Sequence, residues 1–264
     1  MVKLFLTIIV FLQFISCSTN PISGRKQLSL FPESDLQQQA LTSYKSFLSS
    51  NTVIDPKLNA NAALVQRVGA NIQKAITAYY SQKGISNELA GYHWEFNLVK
   101  DDNINAWCMP GGKVVVYSGL LEVTKNESAL AIVLGHEITH AVAHHGNERM
   151  SQAAMAQGLQ IAGNIFTDNN SKANRLFNDI FAPGSQVAYL LPNSRRQEYE
   201  ADHFGLIFSA IAGYNPREAI PFWQRMSAIG GSKPPEFLST HPSDEHRIKQ
   251  LQDLMPEALS YYKP

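Results

Sequence analysis

Two histidines four residues apart, flanking a glutamate, constrain this chain more than any other feature: His136-Glu137-Ile138-Thr139-His140. On a helix, residues i and i+4 share a face, so both imidazoles can address one point. That pattern suits a metal ion, with Glu137 beside it. The flanks read as helix: Asn126-Glu127-Ser128 offers a polar start, and Ala129 to Leu134 continues with strong helix formers and an apolar stripe. The plain alternative is a core helix with two buried histidines. It leaves Glu137 as an unpaired carboxylate in an apolar interior, which is costly unless a charge compensates it. Gly135, directly before His136, weakens a helix, and a close backbone contact at the metal would account for it.

A hydrolytic zinc site takes three protein donors and keeps one position for water, so two histidines need a third partner. Ser194 to Asp202 reads as a helix that places Glu198 and Asp202 on one face. Glu198 is the expected third ligand. Asp202, one turn on, is placed to accept a hydrogen bond from a ligand imidazole. Glu200 falls elsewhere on that helix. In the competing reading all three carboxylates balance Arg195 and Arg196 on a solvated face.

Four stretches carry a family resemblance: Asn20-Pro21-Ile22-Ser23-Gly24-Arg25, Asn105-Ala106-Trp107-Cys108-Met109-Pro110-Gly111-Gly112, Leu134 to His140, and Ser194 to Asp202. They resemble the zinc metallopeptidase family of the HtpX heat-shock protease and the CAAX prenyl protease, a gluzincin family, and most closely its periplasmic lipoprotein branch. The resemblance implies a zincin-like domain with one Zn2+ per chain, held by His136, His140 and Glu198. It implies an endopeptidase that cleaves unfolded or misassembled envelope proteins, with links to outer-membrane assembly machinery. A fifth stretch, Thr240-His241-Pro242-Ser243 followed by Glu245-His246-Arg247-Ile248, is similar to one that brings a histidine near the zinc in periplasmic relatives. His241 is therefore expected to be a regulatory ligand or a transition-state contact, unless it only precedes a helix capped by Ser243. Tyr199 is a further possible electrophile. His144 and His145 read as structural residues near a helix end, and His93 and His203 take no role.

In the chemistry expected of such a site, Glu137 takes a proton from the attacking water and returns it to the leaving amine. Lys113 to Tyr117, behind Pro110-Gly111-Gly112, reads as a short β-strand. As an edge strand it would pair with an extended, unfolded polypeptide through main-chain hydrogen bonds. Otherwise it is an interior strand beside Trp94 to Leu98. A metal-retaining, chaperone-like or scaffold lipoprotein and an exopeptidase remain open as other functions.

At the N-terminus, Lys3 precedes an apolar run from Leu4 to Leu12, and Phe14-Ile15-Ser16-Cys17 resembles a bacterial lipoprotein cleavage site. The expectation is a signal peptide over 1–16, lipidation at Cys17, a linker over 17–32 and a single metallopeptidase domain over 33–264. The anchor would hold an outer-membrane lipoprotein facing the periplasm, with an inner-membrane or soluble periplasmic form as the alternative. Cys108 is then the one remaining thiol, without an intramolecular disulfide partner. With 22 basic and 22 acidic residues and no cationic block, nucleic-acid binding is excluded as a main activity.

The fold class expected is α+β and mostly helical, with a small sheet beside the motif helix. Helices are predicted over Glu33 to Leu48, Pro56 to Tyr80, Pro216 to Ile229 and after Pro242, and helical sequence between Met150 and Phe181. Asp168 to Ser171 reads as a loop, and Ala182 to Asn193 as a loop that covers the cleft.

Overall fold

The structure, a computed structural model, describes residues 17–158, 166, 172–182, 194–229, 236–241 and 245–263. The expected loops at Asp168 to Ser171 and Ala182 to Asn193 lie outside the described residues, except Ala182. So does the leader. The order along the chain is β1 (Cys17–Thr19), β2 (Lys26–Leu28), α1 (Glu33–Ser50), α2 (Ala60–Gln82), β3 (Glu95–Val99), β4 (Ala106–Met109) and β5 (Lys113–Tyr117). Helices α3 (Ser118–Thr124), α4 (Glu127–Val142), α5 (His145–Ala156), α6 (Lys172–Phe181), α7 (Ser194–Ile211), α8 (Ala219–Ile229), α9 (Glu236–Thr240) and α10 (Glu245–Tyr261) follow. The architecture is α+β and mostly helical, as the sequence predicts.

Local chemistry explains the boundaries. Asn126 caps α4 by accepting the Ala129 N–H at 2.8 Å, and Ala129 to Val142 are buried without a break, so α4 is the central helix. Asn59 caps α2 through the N–H groups of Asn61 and Ala62. The predicted start at Pro56 is four residues early: Asp55 accepts from the Lys57 N–H and folds Pro56 into a turn instead. The helical pattern between Met150 and Phe181 is two helices, α5 and α6. Helix α8 begins at Ala219, because Pro216–Glu218 forms a 3-10 turn under an Asn215 cap.

The sheet order is β3-β5-β4, with β3 parallel and β4 antiparallel to β5. This corrects the reading of Lys113–Tyr117 as an edge strand: it is the central one, and all five residues are buried. Val114 and Val116 point into a core shared with α2, α4 and α7, while Val115 and Tyr117 point into a second core with α1, α5 and α6. A strand with helices on both faces loses the alternation that marks an exposed edge. The edge strands are β3 and β4; β4 is the one that lines the cleft, and it reaches β5 through Gly111 and Gly112, both at positive φ.

Residues 17–32, expected as a linker, hold the β1–β2 hairpin, whose turn and strands bury Asn20 and Gln27. Among the described residues no helix is long and apolar enough to cross a membrane.

Candidate metal centre

Helix α4 carries His136, Glu137 and His140, all buried, and α7 crosses it with Glu198, Glu200 and Asp202. The crossing is close because glycine faces glycine: a methyl group on Gly135 would lie 2.6 Å from the Gly205 carbonyl oxygen. Glu198 thereby reaches to 3.3 Å from Nε2 of both His136 and His140. Those two nitrogens are 3.2 Å apart. His241, at the end of α9, brings its Nδ1 to 3.1 Å from His136 Nε2 and 2.8 Å from Glu198 Oε2. Each of these four residues offers one donor atom, all within 4.8 Å of one another.

The far side of the His136 ring defines what these atoms are. His136 Nδ1 lies 2.9 Å from Asp202 Oδ1, and a carboxylate only accepts, so Nδ1 carries a proton and it is Nε2 that presents a lone pair to the cluster once the ring is neutral. Lone pairs and a carboxylate that converge in a buried pocket repel one another unless a cation lies among them. Tetrahedral zinc with bonds of about 2.0–2.1 Å needs donor-to-donor edges of roughly 3.3–3.4 Å, close to the spacings found here. Imidazole and carboxylate donors in this number fit zinc.

Electrostatics separate the two glutamates. Burial opposes charge on Glu198, but His241, His140 and His136 outweigh it and hold the carboxyl well below its ordinary range. Burial pushes the Glu137 carboxyl up, against the pull of His241 and His136. Glu137 Oε1 has no hydrogen-bond partner and lies 3.4 Å from His241 Nε2. Glu137, His140 and His241 line a cleft together with Trp107, Cys108 and Met109 of β4. A buried carboxylate with raised proton affinity, next to a donor cluster and a cleft, is suited to take up and hand on a proton.

In comparison with known proteins, the sequence model of peptidase family M48 matches residues 66–255. The chain belongs to peptidase family M48. The finer assignment to the HtpX and CAAX protease branch is not part of that finding. The M48 chain is 36% identical over 194 residues to the mitochondrial metalloendopeptidase OMA1 of Arabidopsis thaliana, covering 73% of this chain and 38% of that one. It is 30% identical over 258 residues to the OMA1 metalloendopeptidase of Homo sapiens, covering 93% and 47%. It is 30% identical over 252 residues to the beta-barrel assembly-enhancing protease of Yersinia pestis, covering 89% and 50%. The M48 chain thus spans half or less of the length of these relatives.

Other residues sit differently from expectation. Tyr199 is exposed and tilts against His203, and it is not one of the four residues of the donor cluster. His203 pairs with Glu257 at 2.7 Å. His93 lends its backbone to the Gly111 carbonyl. His144 does not extend α4: it adopts a left-handed φ of 56° after the helix ends, between Glu33 and Glu88. His145 opens α5 just past the end of α4 and is a buried structural residue near a helix end, and Glu200 does not balance Arg195 or Arg196, because it too is buried against the site. Arg247 had no role in the sequence reading, yet it grips Asp202 at 2.7–2.8 Å and lies 3.5 Å over the Trp223 ring. Its one sequence signal is proximity to His241, which does not reveal which way the side chain turns.

Proposed function

We propose that this chain is a zinc-dependent endopeptidase, with His136, His140 and Glu198 as metal ligands and Glu137 as general base and acid. The observation that carries this reading is the buried Glu137 carboxylate, with an unbonded oxygen, beside four converging donors. Zinc, when bound, polarises a peptide carbonyl and lowers the pKa of water towards neutrality. Glu137 takes the proton of the attacking water and returns it to the leaving amine. Asp202, itself held by Arg247, keeps the His136 proton on Nδ1 and so keeps Nε2 available. The outer edge of β4 is the surface offered to an extended substrate. The Tyr117 N–H donates to the Asn105 carbonyl at 3.0 Å, and by antiparallel alternation the main chain of Ala106 and Cys108 faces outward, with the Ala106 N–H already taken by Asn105 Oδ1 at 2.9 Å. Main-chain pairing there favours unfolded polypeptides over particular sequences.

His241 occupies the corner that water needs, and we read it as a ligand that keeps the site latent. Four protein donors also suit the competing reading, a chaperone-like lipoprotein with a structural, closed metal site. Lipidation at Cys17, an outer-membrane address facing the periplasm, the domain limits 33–264 with the hairpin docked on them, and work on envelope proteins under assembly belong to the same proposal. They draw support from the leader sequence and from the name of the Yersinia pestis relative. The test measures zinc content and cleavage of an unfolded protein for wild type and Glu137→Gln. Equal zinc with cleavage lost in the variant is expected. Equal cleavage by both proteins, or no cleavage by either wild type or His241→Ala, defeats the endopeptidase reading.

A further inference from the structure

We propose that His145 and Glu200, clamped by Arg25 of the N-terminal hairpin, position the His140 imidazole and select the tautomer that can bind metal. His145 is fully buried, with its Nδ1 2.9 Å from His140 Nδ1 and its Nε2 2.9 Å from Glu200 Oε2. Glu200 in turn accepts from Arg25 Nε at 2.7 Å, from Ser23 Oγ at 3.0 Å and from Asn20 Nδ2 at 3.4 Å. Arg25 is fixed from its other side by two hydrogen bonds to Glu148, at 2.8 and 2.7 Å. The same hairpin holds the end of α4, because Asn20 and Gln27 both donate to the Ala143 carbonyl.

Glu200 is acceptor-only as a carboxylate, so His145 places its proton on Nε2 and offers a lone pair at Nδ1. Two ring nitrogens 2.9 Å apart need one proton between them, and it must come from His140. With Nδ1 protonated, His140 directs the lone pair of Nε2 at the metal cluster. Arg149 Nη2 stands 2.8 Å from the same Nδ1 and would donate to it only in the opposite tautomer. That tautomer carries its proton on Nε2 and withdraws His140 from the donor set. His145 and Arg149 therefore compete for one nitrogen, and the Glu200 carboxylate decides between them. This parallels what Asp202 does for His136, with one imidazole interposed and with the hairpin after Cys17 built into the site.

The inference rests on the zinc reading of the site. Its test measures zinc affinity by chelator competition on the full chain. It adds 15N NMR of the histidine rings in zinc-free protein, which reports which nitrogen of His140 is protonated. His145→Leu is expected to weaken zinc binding about 10–100-fold and to move the His140 proton to Nε2. His145→Asn, whose amide oxygen stands near the lost Nδ1 and still accepts, is expected to recover much of the affinity and the Nδ1–H tautomer. A role in folding alone would lower the melting temperature of both variants without moving the proton. Should His145→Leu fail to fold, Arg25→Gln takes its place, with a smaller loss of affinity expected. Variants that match wild-type affinity and tautomer overturn the inference, whereas a wild type that holds no zinc overturns the site reading beneath it.

Discussion

Gly135→Ala adds one methyl group where α4 and α7 touch, and its effect follows from the crossing itself. The new carbon would stand 2.6 Å from the Gly205 carbonyl oxygen and 2.9 Å from Ser209 Oγ. Ordinary non-bonded contacts lie near 3.5 Å, so the helices must part by up to roughly 0.9 Å. Ser209 resists that movement, since its hydroxyl bridges the Ala131 and Gly205 carbonyls across the same interface. Overpacking of this kind costs about 1–3 kcal/mol, against which alanine gains about 1 kcal/mol in helix propensity. The net loss of about 0–2 kcal/mol lowers the melting temperature by at most roughly 8 °C. The effect on zinc is larger than this suggests, because His136 and His140 ride on α4 and Glu198 on α7, while metal-ligand distances tolerate only about 0.2 Å. A loss of roughly 10–100-fold in zinc affinity is expected. The assay is chelator competition, alongside thermal unfolding with and without zinc. Leu176→Ala, in the second core, serves as control: it costs about 2–5 kcal/mol yet should leave zinc affinity unchanged. Gly135→Ala with wild-type affinity and melting temperature would refute the argument that this crossing sets the donor geometry.

Four further outcomes are expected. Asp202→Asn frees the His136 tautomer and weakens zinc binding about tenfold or more, measured by the same competition. His241→Ala raises cleavage of an unfolded substrate several-fold if His241 keeps the site latent, and a fall in kcat instead would make it a transition-state contact. Cys108→Pro removes an outward N–H from β4 and raises KM about tenfold with little change in kcat; unchanged KM removes this strand from substrate binding. In zinc-free protein, burial opposes charge on His136, but Asp202 and Glu198 outweigh it and lift its pKa to about 9. A pKa raised on folding stabilises fully below the unfolded value near 6.5 and is lost as pH rises through about 9. The zinc-free fold should lose on the order of 3 kcal/mol across that window by thermal melts, and zinc binding at pH 7 should release a proton detectable by calorimetry in two buffers.

How much of this could be read in advance depended on the range of each interaction. The motif helix was legible because its cap, its formers and its i, i+4 imidazoles lie within sixteen residues, from Asn126 to Ala141. Gly135 was legible as a close contact, though not its partner Gly205. The edge reading of Lys113–Tyr117 failed, and the interior reading held, because five buried residues between two cores carry no alternation and because the Ala106–Met109 strand is only four residues long. The sequence marks His145 as a structural residue near a helix end and Glu200 as lying elsewhere on its helix, but it does not show that the two meet, because they are 55 residues apart.

The sequence by itself determined that two imidazoles and a glutamate share one face of an apolar helix, and that a second helix presents two carboxylates on one face, since helical periodicity is a local property of the chain. Tertiary structure alone decided which strand is the edge, that His241 fills the corner beside Glu198, and that Arg25 reaches Glu200 across 175 residues. These outcomes depend on which surfaces meet when apolar faces are buried, and a one-dimensional pattern specifies the faces without specifying their partners.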